Sequence, residues 1–117
     1  MGADLTQAIH SGARGGGKVR ASVEATGSGL SSLKDLKLRY PVIDMDMVPI
    51  KAGLHNRYMV GITTWQAFYQ HTLLTLHEKK VLVIGYGPVG RGVADAARAY
   101  GGMVLVSERD PGRAIEA

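Results

Sequence analysis

A chain of 117 residues amounts to one domain at most, long enough to bury a single core. With 45% apolar and 21% charged residues and no cysteine, it has the composition of a soluble protein and excludes disulfides and thiolate metal sites. Its net charge of +4 is scattered rather than striped, which falls short of a nucleic-acid footprint, and no run reaches the ~18 apolar residues of a membrane span. The start of the chain lacks a basic-then-apolar leader, so a cytoplasmic location is expected, with no metal, nucleic acid or membrane as partner.

Residues 4–10 suit a short helix with Leu5, Ala8 and Ile9 on one side. Residues 11–17 break it with four glycines, residues 18–23 alternate like a strand, and residues 24–29 form a turn of small and hydroxylated residues. Leucines three apart predict a helix over 30–38, and Tyr40-Pro41 leads into a short strand over 41–44. Residues 45–62 carry Pro49, Gly53 and Gly61 and read as irregular. Thr63 or Thr64 then caps a helix to about His77, whose stripe of Trp65, Phe68, Tyr69, Thr72, Leu73 and Leu76 serves packing rather than a cofactor.

The densest signal follows. Val81-Leu82-Val83-Ile84 is an apolar run expected to be a strand buried on both faces. Gly85, Gly87 and Gly90 give the G-x-G-x-x-G spacing directly after it. The first glycine allows a tight turn, the second lets backbone approach a diphosphate, and the third lets helix pack on strand. Pro88 suits the first turn of the helix, Val89 lies at its mouth, and the helix start points free N–H groups at phosphate. Glu108 ends the next strand, 103–107, where a carboxylate accepts hydrogen bonds from an adenosine ribose. That acid favours NAD over NADP, although Arg109 and Arg113 beside it could pair with a 2′-phosphate. An adenine nucleotide such as AMP or ADP is a second ligand this half-site could take. The bland reading of the same glycines is a βα turn that binds nothing.

Five stretches in order resemble the S-adenosylhomocysteine hydrolase (adenosylhomocysteinase) family. Gly2-Ala3-Asp4-Leu5 with His10 is similar to its Gly-Gly-Asp-Leu…His helix, and Glu24-Ala25-Thr26-Gly27-Ser28-Gly29 to its Glu-Glu-Thr-Thr-Thr-Gly turn. Tyr40-Pro41-Val42-Ile43, Lys51, and Asn56-Arg57-Tyr58 through Thr64-Trp65 resemble one further block, Gly85 to Gly92 the family's Gly-Tyr-Gly-x-x-Gly-Lys-Gly, and Glu108-Arg109-Asp110-Pro111 its Glu-x-Asp-Pro. The resemblance implies reversible hydrolysis of S-adenosylhomocysteine to adenosine and homocysteine. The ribose 3′ carbon is oxidised at the expense of tightly held NAD, which acidifies the neighbouring proton. Loss of thiol, addition of water and return of the hydride complete the reaction.

The resemblance carries Lys51 and Asn56 to the catalytic site and Thr26 to the nicotinamide end of the cofactor. The family aspartate before Asn56 is His55 here, so Lys51 and His55 could form a new dyad; a solvated lysine and an exposed loop histidine are the bland readings. The second glutamate of the acidic turn is Ala25, two of its three threonines are Gly27 and Ser28, and another family aspartate falls at Met1. With the family's catalytic histidines expected in segments outside this sequence, little or no hydrolase activity is expected of the chain alone.

The expected architecture is α/β: three layers around one mostly parallel sheet of about four strands, with a partial Rossmann βαβ unit. Residues 1–60 correspond to a remnant of the substrate domain and hinge, and residues 61–117 to the partial NAD-binding unit. A half-sheet of this kind leaves an edge open, so a homo-oligomer, either a plain or a domain-swapped dimer, is the expected partner besides the adenine dinucleotide or nucleotide. The competing reading is a structural or interaction module that dimerises and binds no nucleotide.

Overall fold

The structure, a computed structural model, describes residues 3–12 and 16–117. Packing divides the chain into two units, Met1–Val48 and Pro49–Ala117. The fold is α/β, and each unit carries one parallel strand pair.

The first unit runs α1 (Ala3–His10), a single 3₁₀ turn (Gly16–Lys18), β1 (Ser22–Glu24), α2 (Gly27–Leu33) and β2 (Val42–Asp44). β1 pairs in parallel with β2, Ser22 opposite Val42 and Glu24 opposite Asp44. α1 buries Thr6, Ile9 and His10, whereas Leu5, expected inside, is 53% exposed. The cause is a tie at the helix end: His10 Nδ1 accepts from the Arg39 N–H at 3.1 Å, and its ring lies 4.3 Å from that of Tyr40. Those bonds turn the helix so that the polar residues at 6 and 10 face inward. Of the expected glycine break over 11–17, residues 13–15 lie outside the described residues. β1 starts later than expected because Lys18 belongs to the 3₁₀ turn. α2 starts earlier, at Gly27, because the Thr26 hydroxyl caps it by accepting from the Gly29 N–H at 3.1 Å.

In the second unit, Ile50–Met59 forms a π-helix that runs straight into α3 (Val60–Thr72), where irregular chain was expected. The Val60 N–H bonds the His55 carbonyl, five residues back, the register that defines this wider helix. Thr63 and Thr64 do not cap α3; they lie inside it and donate to the Met59 and Val60 carbonyls at 2.9 and 2.7 Å. α3 stops at Thr72 rather than at His77, because Leu73 turns left-handed at φ 55°. β3 (Lys80–Ile84), α4 (Pro88–Ala99) and β4 (Met103–Ser107) then form a parallel βαβ unit, Lys80 opposite Met103 and Ile84 opposite Ser107, followed by α5 (Pro111–Glu116).

Val83, Tyr86 and Ala94 form the buried centre of this unit, with Val81, Val93, Val104 and Val106 packed around them. Burying Val83 contributes about 1.5–3 kcal/mol, and the four partly buried valines contribute less each. The order of layers is sheet, α4, then α3 with the π-helix. α3 meets α4 through glycines: a Cβ on Gly61 would strike the Gly92 carbonyl, and one on Gly92 the Arg57 carbonyl. Trp65 Nε1 donates to the Val93 carbonyl at 2.9 Å and Tyr69 meets Tyr100 edge-on at 5.4 Å, so the aromatic members of the stripe pack as their spacing predicts, whereas Leu73, beyond the helix end, is 90% exposed.

Two expectations are corrected here. The four strands make two separate pairs, not one sheet. β3 is covered on one face: Val81 and Val83 point to α4, while Leu82 and Ile84 are 61% and 81% exposed. The continuous apolar run signals two faces fit for burial, but among the described residues a helix layer covers only one.

Candidate functional site

The glycine loop leaves the carboxyl end of β3. Gly85 has φ +93°, a backbone that side chains rarely adopt, and its N–H donates to the Ser107 carbonyl at 2.8 Å, holding the loop against the end of β4. Gly90 lies so close beneath it that a Cβ would overlap the Gly85 carbonyl. The third glycine therefore seats α4 against the turn, as the spacing predicts. Gly87 is the N-cap of α4 in extended conformation and Pro88 opens the first turn. No side chain caps this helix, so its leading amides remain available to an anion.

Glu108 closes the loop from the other side. Its Oε2 accepts from the Tyr86 N–H at 2.6 Å, and its Oε1 from the Arg109 and Asp110 N–H groups at 2.8 and 3.0 Å. The Asp110 and Tyr86 amides, helped by those of Arg109 and by the nearby Arg113 charge, hold its carboxyl below the usual carboxylate range. The carboxylate thus stays anionic beside the loop, with three of its roughly four acceptor positions occupied by backbone.

Two cavities flank this latch. One of about 280 Å³ is lined by Ile84, Gly85, Ser107, Glu108 and Arg109, where the carboxylate faces open space. The other, about 320 Å³, lies between the π-helix and the loop and is lined by Ala52, Gly53, Tyr86, Gly87 and Pro88 with three arginines, Arg57, Arg91 and Arg113. Arg57 donates to Asp95 at 3.1 Å, a bond that keeps its guanidinium even more firmly charged. Arg91 pairs with Glu116 and stacks 5.2 Å over the Tyr86 ring. Arg113, whose Nη1 lies 3.8 Å from where a Gly87 Cβ would stand, bonds no carboxylate through its side chain among the described residues.

The structure therefore places Gly85, Glu108 and Arg109 at one cavity and Gly87, Pro88 and Arg113 at the other, with Gly90 packed against Gly85 and Val89 41% exposed. Lys51, His55 and Asn56 share the π-helix. Asn56 is buried, His55 is exposed, and the His55 Nδ1 lies 3.4 Å from the Asn56 Oδ1. Thr26 belongs to the first unit, where its hydroxyl donates to Glu24 at 3.0 Å while accepting from Gly29. Sequence reasoning missed Arg57 and Arg91. Arg91 follows the third glycine directly, which places it on the first turn of α4, but Arg57 reaches the cavity only because a π-helix crosses α4 there.

These residues fit a nucleotide cofactor. A Cβ at Gly87 would project into the open cavity, so the bare backbone there leaves room for a diphosphate, and the uncapped helix start supplies donors. Fold and loop together define a dinucleotide-binding βαβ unit of the Rossmann type.

Comparison with known proteins makes the assignment particular. Residues 56–117 match the family described as S-adenosyl-L-homocysteine hydrolase, NAD binding domain. The chain is 43% identical over 98 residues to the adenosylhomocysteinase of Thermotoga maritima, covering 80% of this chain and 24% of that protein. It is 40% identical over 121 residues to that of Aeropyrum pernix, covering 99% and 29%. With the S-inosyl-L-homocysteine hydrolase of Methanosarcina mazei it shares 39% over 104 residues, covering 86% and 25%. The chain belongs to the S-adenosylhomocysteine hydrolase family and contains its NAD-binding domain, for which NAD is the cofactor. It spans about a quarter of the length of these relatives. No helix among the described residues is long and apolar enough to cross a membrane.

Proposed function

We propose that this chain holds NAD at the loop formed by Gly85, Gly87, Pro88, Val89 and Gly90, with the adenosine ribose on the Glu108 and Arg109 side. The observation that supports this most directly is the uncapped start of α4 facing the Glu108 carboxylate across one short loop. When bound, NAD supplies reversible oxidation of a substrate carbon. The chain's own residues bind and orient it, and Lys51, Asn56 and His55 are proposed as the groups on the substrate side. The substrate proposed is S-adenosylhomocysteine, cleaved by water to adenosine and homocysteine, with little or no turnover by this chain alone in a cytoplasmic setting. Calorimetric titration with NAD tests the reading: saturable heat is expected, and none at millimolar cofactor overturns it.

A second reading, self-association, is supported by the bare sheet face. Leu82 and Leu105 stand opposite each other in register, with Ile84 and Met103 beside them, and all four are more than half exposed. A dimer formed through this face is expected to weaken on Leu82→Ser, read by sedimentation, with NAD binding unchanged.

A further inference from the structure

We infer that the π register of Ile50–Met59 positions the substrate-side groups. It brings Lys51 and Asn56, five apart in the sequence, onto one inward face beside the cavity at the glycine loop, and Asp95 of α4 holds it there through Arg57. This rests on the reading above that Lys51 and Asn56 are groups on the substrate side, and it supplies the reason they act together. On an α-helix two residues five apart stand about 140° from each other around the axis. A helix closed by bonds five residues back stacks them instead, at about the 6 Å that an α-helix gives residues four apart. The Val60 N–H bonded to the His55 carbonyl marks that register. Burial follows it: Lys51 and Ala52 are half-buried, Asn56 is buried with Arg57 half-buried beside it, and Val60 and Gly61 continue the face. Residues 53–55 and 58–59, between them, are exposed.

The same face meets the cofactor loop. Ala52 and Arg57, each next in sequence to one of the pair, line the cavity of about 320 Å³ together with Gly87 and Pro88 at the start of α4. α4 also grips the π-helix at two points. Gly92 has no side chain where the Arg57 carbonyl passes, and a Cβ there would overlap it. Further along α4, Asp95 accepts from Arg57 Nη2 at 3.1 Å through one oxygen, and its other oxygen meets Arg98 at 3.6 Å. Asp95 thus serves two guanidinium groups, and of the two bonds the one to Arg57 crosses between helices. With Arg57 fixed by backbone and side chain, the register of its neighbours is fixed too. α4 thereby joins the amides at its start to Lys51 and Asn56. Asp95 lines neither cavity at the loop; it is a positioning residue.

The test uses the whole chain, which has no cysteine of its own. Lys51→Cys combined with Asn56→Cys is expected to close an intramolecular disulfide under mild oxidation, read by mass. Closure is expected about tenfold faster than for Ile62→Cys with Ala67→Cys, a pair equally spaced on α3. Asp95→Lys, which replaces attraction to Arg57 by repulsion, is expected to slow that closure about tenfold, whereas Asp95→Glu and Arg98→Ala keep it. Equal rates for the two pairs overturn the inference, and an unchanged rate in Asp95→Lys overturns the role given to Asp95. A second measurement leaves Asn56 in place. In NMR the Val60 N–H of the unaltered chain is expected to couple through its hydrogen bond to the His55 carbonyl carbon, and coupling to the Asn56 carbonyl carbon overturns the register. The Asn56 side-chain amide signals are expected to move on addition of NAD; fixed signals in a sample that gives calorimetric heat overturn the placement beside the cofactor. Absence of heat overturns the NAD reading and leaves the register as measured.

Discussion

The chain contains two βαβ units that differ at one decisive place, the start of the helix. Between β1 and α2 the connection is Ala25-Thr26, and the Thr26 hydroxyl accepts from the Gly29 N–H while donating to Glu24. Glu24 also accepts from the Ala25 N–H, so this helix start is satisfied by its own side chains. Between β3 and α4 the connection is Gly85-Tyr86-Gly87, and no side chain caps α4. The first unit closes its helix end and the second leaves it open to an anion. The same topology is therefore a structural crossover in one half and a binding loop in the other, and the cap makes the difference.

Their cores differ as well. The inward face of β1 is Ser22 and Glu24, both at least 95% buried, while that of the β3–β4 pair is four valines. Three-residue strands with polar interiors bury little apolar surface, so most hydrophobic stabilisation in the second unit has no counterpart in the first.

The comparison can be broken from either side. Gly90→Ala carries the largest expected effect: the added methyl overlaps the Gly85 carbonyl, which is expected to destabilise the second unit by about 1–3 kcal/mol in chemical unfolding and to abolish NAD heat. Thr26→Ala removes the self-made cap of α2 and is expected to cost about 1 kcal/mol in chemical unfolding. Gly87→Ser is its converse. Gly87 is already extended, so serine fits its backbone and gives α4 a cap; stability is expected to hold or rise slightly, while NAD affinity falls about tenfold as the hydroxyl competes for the amides.

The smallest expected effect comes from Glu108. Its folded carboxyl sits below the ordinary value near 4.3, so it contributes stability above that value, and the contribution is lost as pH falls through the lower folded value. Urea midpoints measured from pH 6 to pH 3 are expected to fall less steeply in Glu108→Gln than in the parent. An identical slope removes the loop latch from the account.

The glycine fingerprint was legible because each of its demands is local. Gly85 must turn, Gly90 must pass beneath the Gly85 carbonyl, and Pro88 must start a helix, all within six residues. The π-helix was not legible: Pro49, Gly53 and Gly61 read as breaks, yet Pro49 precedes the first turn, and Gly61 serves the close crossing with Gly92. Thr63 and Thr64 resembled caps because a hydroxyl bonds backbone equally well from inside a helix.

By itself the sequence determined the order strand, glycine loop, helix, strand and acid, and the proline that opens that helix. These depend on neighbours along the chain, whose geometry a few residues settle. Only the tertiary structure decided that the strands form two pairs, that Leu82 and Ile84 stand bare, and that Arg57, Arg91 and Arg113 line one cavity. Those features depend on which distant surfaces meet, and apolar or basic character at a position says that a residue can be buried or can bind an anion, not what will face it.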